Sequence, residues 1–150
     1  MEIRRIYIED AGLVTGLFDL YRQFYKQQSN IDLAESFIRE RLQKNESIIF
    51  VATEGGIPVG FTQLYPKYSS MRAVKNWILN DLYVDKGHRK KGIGEALVKT
   101  AITFARNEGA TFVQLETAVD NFTAQRLYEA IGFQKQEPDT EFVVYRIGVR

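Results

Sequence analysis

From Trp77 to Gly94 the chain reads Trp-Ile-Leu-Asn-Asp-Leu-Tyr-Val-Asp-Lys-Gly-His-Arg-Lys-Lys-Gly-Ile-Gly, and no other run constrains the fold as tightly. Trp77 to Val84, rich in branched and aromatic residues, predicts a buried strand. A charged turn follows, and at about Gly92 a helical pattern begins, with Ile93, Leu97, Ala101 and Phe104 on one face and Val98, Ile102 and Ala105 widening it. Glu95, Lys99, Thr103 and Arg106 fall on the opposite side. The turn between strand and helix holds Arg89, Lys90, Lys91, Gly92 and Gly94. Backbone N–H groups at a helix start have no helical partner, the helix dipole favours negative charge, and glycines let a ligand come close, so this turn is a seat for a phosphate. It is not a dinucleotide loop, because Leu97 stands where Gly-x-Gly-x-x-Gly needs a small residue, and it lacks the Gly-Lys-Ser or Gly-Lys-Thr of a triphosphate loop.

The remaining pattern predicts a mixed α/β chain of one domain over residues 1–150. Ile3 to Ile8 reads as a strand. Glu9 and Asp10 offer carboxylates to a helix with Leu13, Leu17, Leu20 and Phe24 on one side and Val14 and Tyr21 beside them. A second helix follows Asp32, with Leu33, Phe37, Ile38, Arg41 and Leu42 at helical spacing. Ile48 to Thr53 and Ile57 to Tyr65 form a hairpin about Gly55-Gly56. Lys67 to Lys75 carries no clear pattern and is expected as a loop. Gly109 stops the long helix, and Phe112 to Thr117 is the next strand; one intervening helix makes it parallel to Trp77 to Val84. Asp120-Asn121 caps a helix from Phe122 to Ile131, closed by Gly132, and Phe133 to Gln136 pairs antiparallel with Glu141 to Ile147 about Pro138-Asp139.

Composition narrows the chemistry. Twenty basic and 19 acidic residues leave a net charge of +1, so no global field points to nucleic acid or an anionic membrane. Without cysteine there is no thiolate nucleophile or thiolate metal site. The single His88 lies in the charged turn, where a solvated role is expected. No apolar run approaches the roughly 18 residues of a spanning helix and the N-terminus lacks a signal core, so a cytoplasmic protein is expected.

The spacing Arg89-x-x-Gly92-x-Gly94 after a strand ending Leu82-Tyr83-Val84 resembles the coenzyme A pyrophosphate loop of the GNAT superfamily of N-acetyltransferases. A second motif, Asn121-x-x-Ala124-x-x-Leu127-Tyr128-x-x-x-Gly132-Phe133, stands at the matching separation, and the order β-α-α-β-β-β-α-β-α-β-β matches the GNAT acyl-CoA N-acyltransferase fold along the whole chain. The strand Leu79-Asn80-Asp81-Leu82-Tyr83-Val84 also looks like the small-amine branch of diamine, thialysine and polyamine acetyltransferases.

The resemblance implies acetyl-CoA as cosubstrate and no metal. It implies that the strand matching Trp77 to Val84 bulges and splays from its parallel neighbour, and that the pantetheine arm pairs with main chain at Leu82, Tyr83 and Val84. The pyrophosphate then rests on Arg89, Lys90, Lys91, Gly92, Ile93, Gly94 and Glu95, while Asn121 hydrogen-bonds the coenzyme arm. A strand N–H near Leu82 polarises the acetyl carbonyl. Tyr128 is the implied general acid at sulfur.

Acetyl transfer from a thioester to an amine needs no covalent protein intermediate, which suits a chain without cysteine. It does need a group to take the amine proton, because an alkylamine of pKa about 10 is protonated at neutral pH. Asp81 is the favoured base, with Glu116 or water as the alternative; Asn80 stands where the diamine branch carries a glutamate. Tyr21, Phe24, Tyr25, Tyr65, Tyr68 and Trp77 suggest a small cationic amine as acceptor. Other readings are a non-catalytic acyl-CoA sensor, a nucleotide-binding module and a protein or peptide N-acetyltransferase. Family members resembling this chain dimerise through C-terminal strands, so a homodimer is an expected arrangement.

Overall fold

Alternating and apolar runs before residue 117 assemble β1 (Glu2–Ile6), β2 (Ile48–Glu54), β3 (Ile57–Ser69), β4 (Val74–Val84) and β5 (Val113–Gln114) into one sheet. Its strand order is β1-β2-β3-β4-β5, antiparallel through β4 and parallel between β4 and β5. The computed structural model describes residues 1–150, and the chain divides into two compact units, Met1–Glu116 and Thr117–Arg150. The first unit holds the sheet with α1 (Gly12–Phe24), α2 (Ile31–Gln43) and α3 (Ile93–Asn107), and the second holds α4 (Phe122–Ile131).

Neighbouring residues of a strand face opposite sides, so one strand serves two layers. On β3, Phe61 meets Phe18 and Tyr21 of α1 edge-on, whereas Gly60 lies under Ile93 and Leu97 of α3. Helices α1 and α2 therefore cover one face and α3 the other. The first layer buries Val14, Leu17, Phe18, Ala34, Ile38 and Leu42 against Ile6, Ile49, Val51 and Phe61. On the second, Phe104 takes the edges of Phe50 and Trp77. A Cβ on Gly60 would lie 3.1 Å from the Tyr83 carbonyl oxygen, 3.2 Å from Leu97 Cδ1 and 3.4 Å from Ile93 Cγ2.

Two residues interrupt the ladders. Between β2 and β3 the pairs run from Ala52 with Gly60 to Thr53 with Pro58, leaving Val59 extra. Between β3 and β4 they run from Gln63 with Asp81 to Leu64 with Leu79, leaving Asn80 extra. Such a bulge inverts the alternation beyond it. Leu79, opposite Leu64, belongs to the α3 side, while Asp81, opposite Gln63, belongs to the side of α1 and α2.

The structure departs from the sequence reading in several places. The apolar face of α1 is Val14, Leu17 and Phe18, and Leu20 and Phe24 are exposed, because the sheet meets the stripe one position away from the expected one. Lys67 to Lys75 is not a loop but a hairpin, with β3 continuing to Ser69 and β4 starting at Val74. The expected strand Phe112 to Thr117 shortens to Val113–Gln114. The buried Asn76 carboxamide oxygen takes the N–H groups of Thr111 at 2.7 Å and Phe112 at 3.1 Å, so a side chain replaces the ladder where the strand was to begin.

The last two expected strands, Phe133 to Gln136 and Glu141 to Ile147, do not form. Asp139 Oδ1 accepts from the N–H groups of Glu141 at 2.8 Å and Phe142 at 3.0 Å, so the turn is present without its strands. Alternation supplies side-chain faces, but a strand needs a partner for its backbone, and none pairs with these residues. Phe142, Val143, Val144, Tyr145, Ile147 and Val149 are left exposed. No helix is long and apolar enough to cross a membrane.

Candidate active site

The bulge at Asn80 delivers a carboxylate into the sheet floor. Asp81 is 3% exposed, and both its oxygens are engaged. Gln63 Nε2 donates to Oδ2, and Asn80 Nδ2 donates to Oδ1 at 2.8 Å. Behind Gln63, the buried Ser47 hydroxyl donates to Gln63 Oε1 at 2.7 Å. From the other side Tyr21 of α1 donates its hydroxyl to the Asn80 carbonyl at 3.3 Å. The Asp81 backbone carbonyl accepts from the buried Thr62 hydroxyl at 2.8 Å.

This environment sets the ionisation of the cluster. Burial pushes the Asp81 carboxyl above the usual carboxylate range, against the pull of hydrogen bonds from Gln63, Asn80 and Tyr21. Burial, joined by the Asp81 charge, also raises the phenols of Tyr21 and Tyr65 well above their ordinary value. Both phenols are thereby held in their neutral form. A carboxylate whose affinity for a proton is raised toward that of an amine is a better base.

Beside Asp81 the sheet opens. The parallel pairing of β4 with β5 is confined to Trp77 with Val113 and Ile78 with Gln114. From Leu79 to Val84 the edge of β4 facing away from β3 therefore has no strand partner, and Leu82, Tyr83 and Val84 line it half-buried. An extended ligand can pair with such an edge as a further strand does.

The edge runs into a tied-down turn. The extra residue Val59 turns its carbonyl to the N–H of Asp85 at 2.8 Å. His88 N–H donates to the Asp85 carbonyl at 2.8 Å, and its Nδ1 lies 3.2 Å from Asp85 Oδ2. His88, its side chain 31% exposed, thus helps tie the turn. Arg89 Nε donates to the Val84 carbonyl at 2.9 Å, and its guanidinium lies 5.4 Å from the Tyr83 ring centre. Next, Lys90 at φ 64° and Gly92 at φ 83° are left-handed, and alternation of this kind gathers N–H groups into an anion-binding hollow. No side chain caps α3, whereas Asn30 and Asn121 cap α2 and α4. The N–H groups of Ile93, Gly94 and Glu95 therefore stay available at its first turn, with Lys90 and Lys91 exposed beside them.

Among the expected site residues, then, Asp81, Leu82, Tyr83, Val84 and Arg89 to Glu95 lie along one strand edge and the turn that continues it. Glu116 is exposed, without the burial that distinguishes Asp81. In the second unit Asn121 Oδ1 caps α4 by accepting from Ala124 N–H at 3.2 Å, which leaves its Nδ2 to donate. Tyr128 is half-buried on α4, its ring edge-on to Phe133 with centres 5.8 Å apart.

The aromatic residues divide. Tyr21 and Tyr65 flank Asp81, but Trp77 faces Phe104 on the opposite layer and Tyr68 is 70% exposed. Tyr65 also walls a cavity of about 610 Å³ with Phe37, Arg41, Glu46 and Tyr68. There Arg41 is held by Glu46 at 3.0 Å and Glu40 at 2.9 Å. Sequence reading missed Gln63 and Ser47; their only signal is a polar residue at the centre of a strand and another at the mouth of one. No cluster of His, Cys, Asp and Glu is placed to hold a metal.

The chain has recognisable relatives among known proteins. Residues 14–133 match the sequence profile described as the acetyltransferase (GNAT) family. An uncharacterized N-acetyltransferase of Bacillus subtilis, YhfO, is 42% identical over 149 residues, covering 99% of this chain and 98% of its own length. The crystal structure of a probable acetyltransferase is 36% identical with a TM-score of 0.89, covering 100% of this chain and 99% of that one. An aminoglycoside N-acetyltransferase in complex with CoA superposes with a TM-score of 0.80 over 97% of this chain and 93% of its own, and at 19% identity it speaks for the fold.

Proposed function

This chain belongs to the GNAT acetyltransferase family, and from that premise we propose that it transfers the acetyl group of acetyl-CoA directly to the primary amine of a small cationic acceptor. The observation that carries the reading is a buried carboxylate of raised pKa, Asp81, on a bulge beside an unpaired strand edge.

In this reading the open edge at Leu82, Tyr83 and Val84 receives the pantetheine arm, and the N–H groups from Arg89 to Glu95 receive the pyrophosphate. Asn121 Nδ2 donates to the coenzyme arm. Asp81 takes the proton of the acceptor ammonium, directly or through a water, and frees the nitrogen lone pair. That nitrogen bonds to the acetyl carbon while a strand N–H near Leu82 bears the charge on the carbonyl oxygen; the bond to sulfur then breaks as Tyr128 donates its proton to the leaving sulfur, and the surplus proton on the new amide nitrogen returns through solvent to the Tyr128 phenolate.

The aromatic walls at Tyr21 and Tyr65 favour an acceptor cation. The test is thiol release from acetyl-CoA against a panel of small amines, amino acids, aminoglycosides and peptides. Turnover of small amines is expected. Turnover of peptides alone overturns the acceptor, and release with none of them favours an acyl-CoA sensor. A homodimer through the exposed Phe142, Val144 and Tyr145 belongs to the same proposal, and light scattering at the mass of a single chain rejects it.

Because the phosphate seat is built from main chain, a side chain within it costs more than a lost charge beside it. Gly94→Val is expected to weaken acetyl-CoA binding at least about tenfold, or about 1.4 kcal/mol, and Lys90→Ala less. Calorimetric titration measures both, and wild-type affinity in folded Gly94→Val protein removes the loop from the site.

A further inference from the structure

Ser47 at 5% and Gln63 at 0% exposure are polar side chains in the apolar floor of the sheet. Nothing in the backbone ladder requires them. A buried amide left without partners destabilises a core, so a strand at this position is better served by Val or Leu unless the amide has a task. Gln63 has two: its oxygen accepts from the Ser47 hydroxyl and its nitrogen donates to Asp81. We propose that Gln63, held by Ser47, is the positioning residue of this site, aiming Asp81 and allowing it to gain and lose a proton without leaving any buried group unpaired. The inference rests on Asp81 serving as the base.

The chemistry lies in the asymmetry of an amide facing a hydroxyl. With Asp81 ionised, Nε2 must face the carboxylate, because Oε1 would be repelled, and Ser47 then donates to Oε1. When Asp81 holds a proton on Oδ2, half a turn of the amide brings Oε1 to the new O–H and Nε2 to Ser47 Oγ, which now accepts. Each state keeps the same number of hydrogen bonds. Asn80 Nδ2 holds the other carboxyl oxygen throughout. A fixed donor in place of Gln63 could satisfy only the ionised form, and an apolar side chain neither.

The titratable groups facing Asp81 are Tyr21 from α1 and Tyr65 from β3, with Tyr25 acting on Tyr21, and Arg41 and Glu46 acting on Tyr65. Both nearby phenols are held neutral, and no cation contributes to the ionisation of Asp81. The acid limb of kcat/KM, compared between variants with one acceptor, therefore reports this carboxyl.

The test pairs Gln63→Met, which keeps the volume and removes the amide, with Ser47→Ala, which removes only its anchor. Losing a donor to the carboxylate favours its protonated form, so the acid limb is expected to move to higher pH. In Gln63→Met, kcat/KM at the midpoint pH of the wild-type acid limb falls at least about fivefold while the plateau value above the limb stays within about threefold of wild type. Ser47→Ala shifts the same limb by less. Acetyl-CoA affinity, measured by calorimetry, stays within about twofold in both. A limb that does not move, or a loss equal at all pH values, overturns the positioning role. Asp81→Asn separates the failures: if it is impaired and the Gln63→Met limb is unmoved, only this inference fails, whereas wild-type turnover in Asp81→Asn removes the base itself.

Discussion

Asp81→Asn is expected to lower kcat by roughly 10²-fold while acetyl-CoA binds almost as before. Asparagine fills the same space and its carbonyl accepts from Gln63 Nε2, but it cannot take a proton from an amine. The carboxyl also has a cost in the folded protein. Its folded pKa lies above the unfolded carboxylate value of about 3.9, because burial penalises its charge. Between those two values the unfolded chain binds fewer protons than the folded one, so stability falls as pH rises through that window. Asp81→Asn has no such dependence and should be at least as stable as wild type at pH 8. Thermal unfolding and single-turnover kinetics on the same preparation measure the two effects. Loss of stability at pH 8 in the variant contradicts the account of a buried, strained base, and unchanged kcat with chemistry limiting turnover removes its catalytic role.

Tyr128→Phe is expected to lower kcat by a similar factor, roughly 10²-fold, with coenzyme affinity nearly intact. The substitution keeps the ring that packs edge-on against Phe133 and deletes only the hydroxyl. A phenol that protonates the leaving sulfur acts as the carbon–sulfur bond breaks, so its loss belongs to kcat and not to binding. A leaving thiol of lower pKa in the cosubstrate should shrink the defect, since a better leaving group needs less help. If Tyr128→Phe turns over acetyl-CoA at the wild-type rate while chemistry limits, the acid lies elsewhere.

What could be read from the sequence was whatever a short window encodes. Trp77 to Val84, the turn at Arg89 to Gly94 and the helix through Phe104 each follow from local periodicity, and the structure places them as β4, the turn and α3. The parallel pairing of β4 with β5 followed from one intervening helix. Properties that depend on a partner were not legible. The extra residue Asn80 is defined only against Gln63 and Leu64 on β3, and the side to which Asp81 turns follows from it. Gln63 and Ser47 look like ordinary strand interruptions until Asp81 is seen at the far side of Gln63. Phe133 to Gln136 and Glu141 to Ile147 have the composition of strands but no neighbour to make them so. Leu20 and Phe24 fit the α1 stripe as well as Phe18 does, and only the sheet decides which are covered.

Gly60 gives the molecule a shim. The start of α3 rests on it through Ile93 and Leu97, and the Tyr83 carbonyl closes the third side. Any methyl group added there must press on the first two turns of the helix or on the end of β4, and both carry the proposed phosphate seat with them. The height of that seat above the sheet is therefore gauged from a strand no ligand need touch. If the loop is the coenzyme seat proposed above, affinity for the donor drifts with changes at position 60 or at the two side chains above it while every residue of the loop stays the same, so the loop sequence alone is then an incomplete record of how tightly such a protein holds its donor.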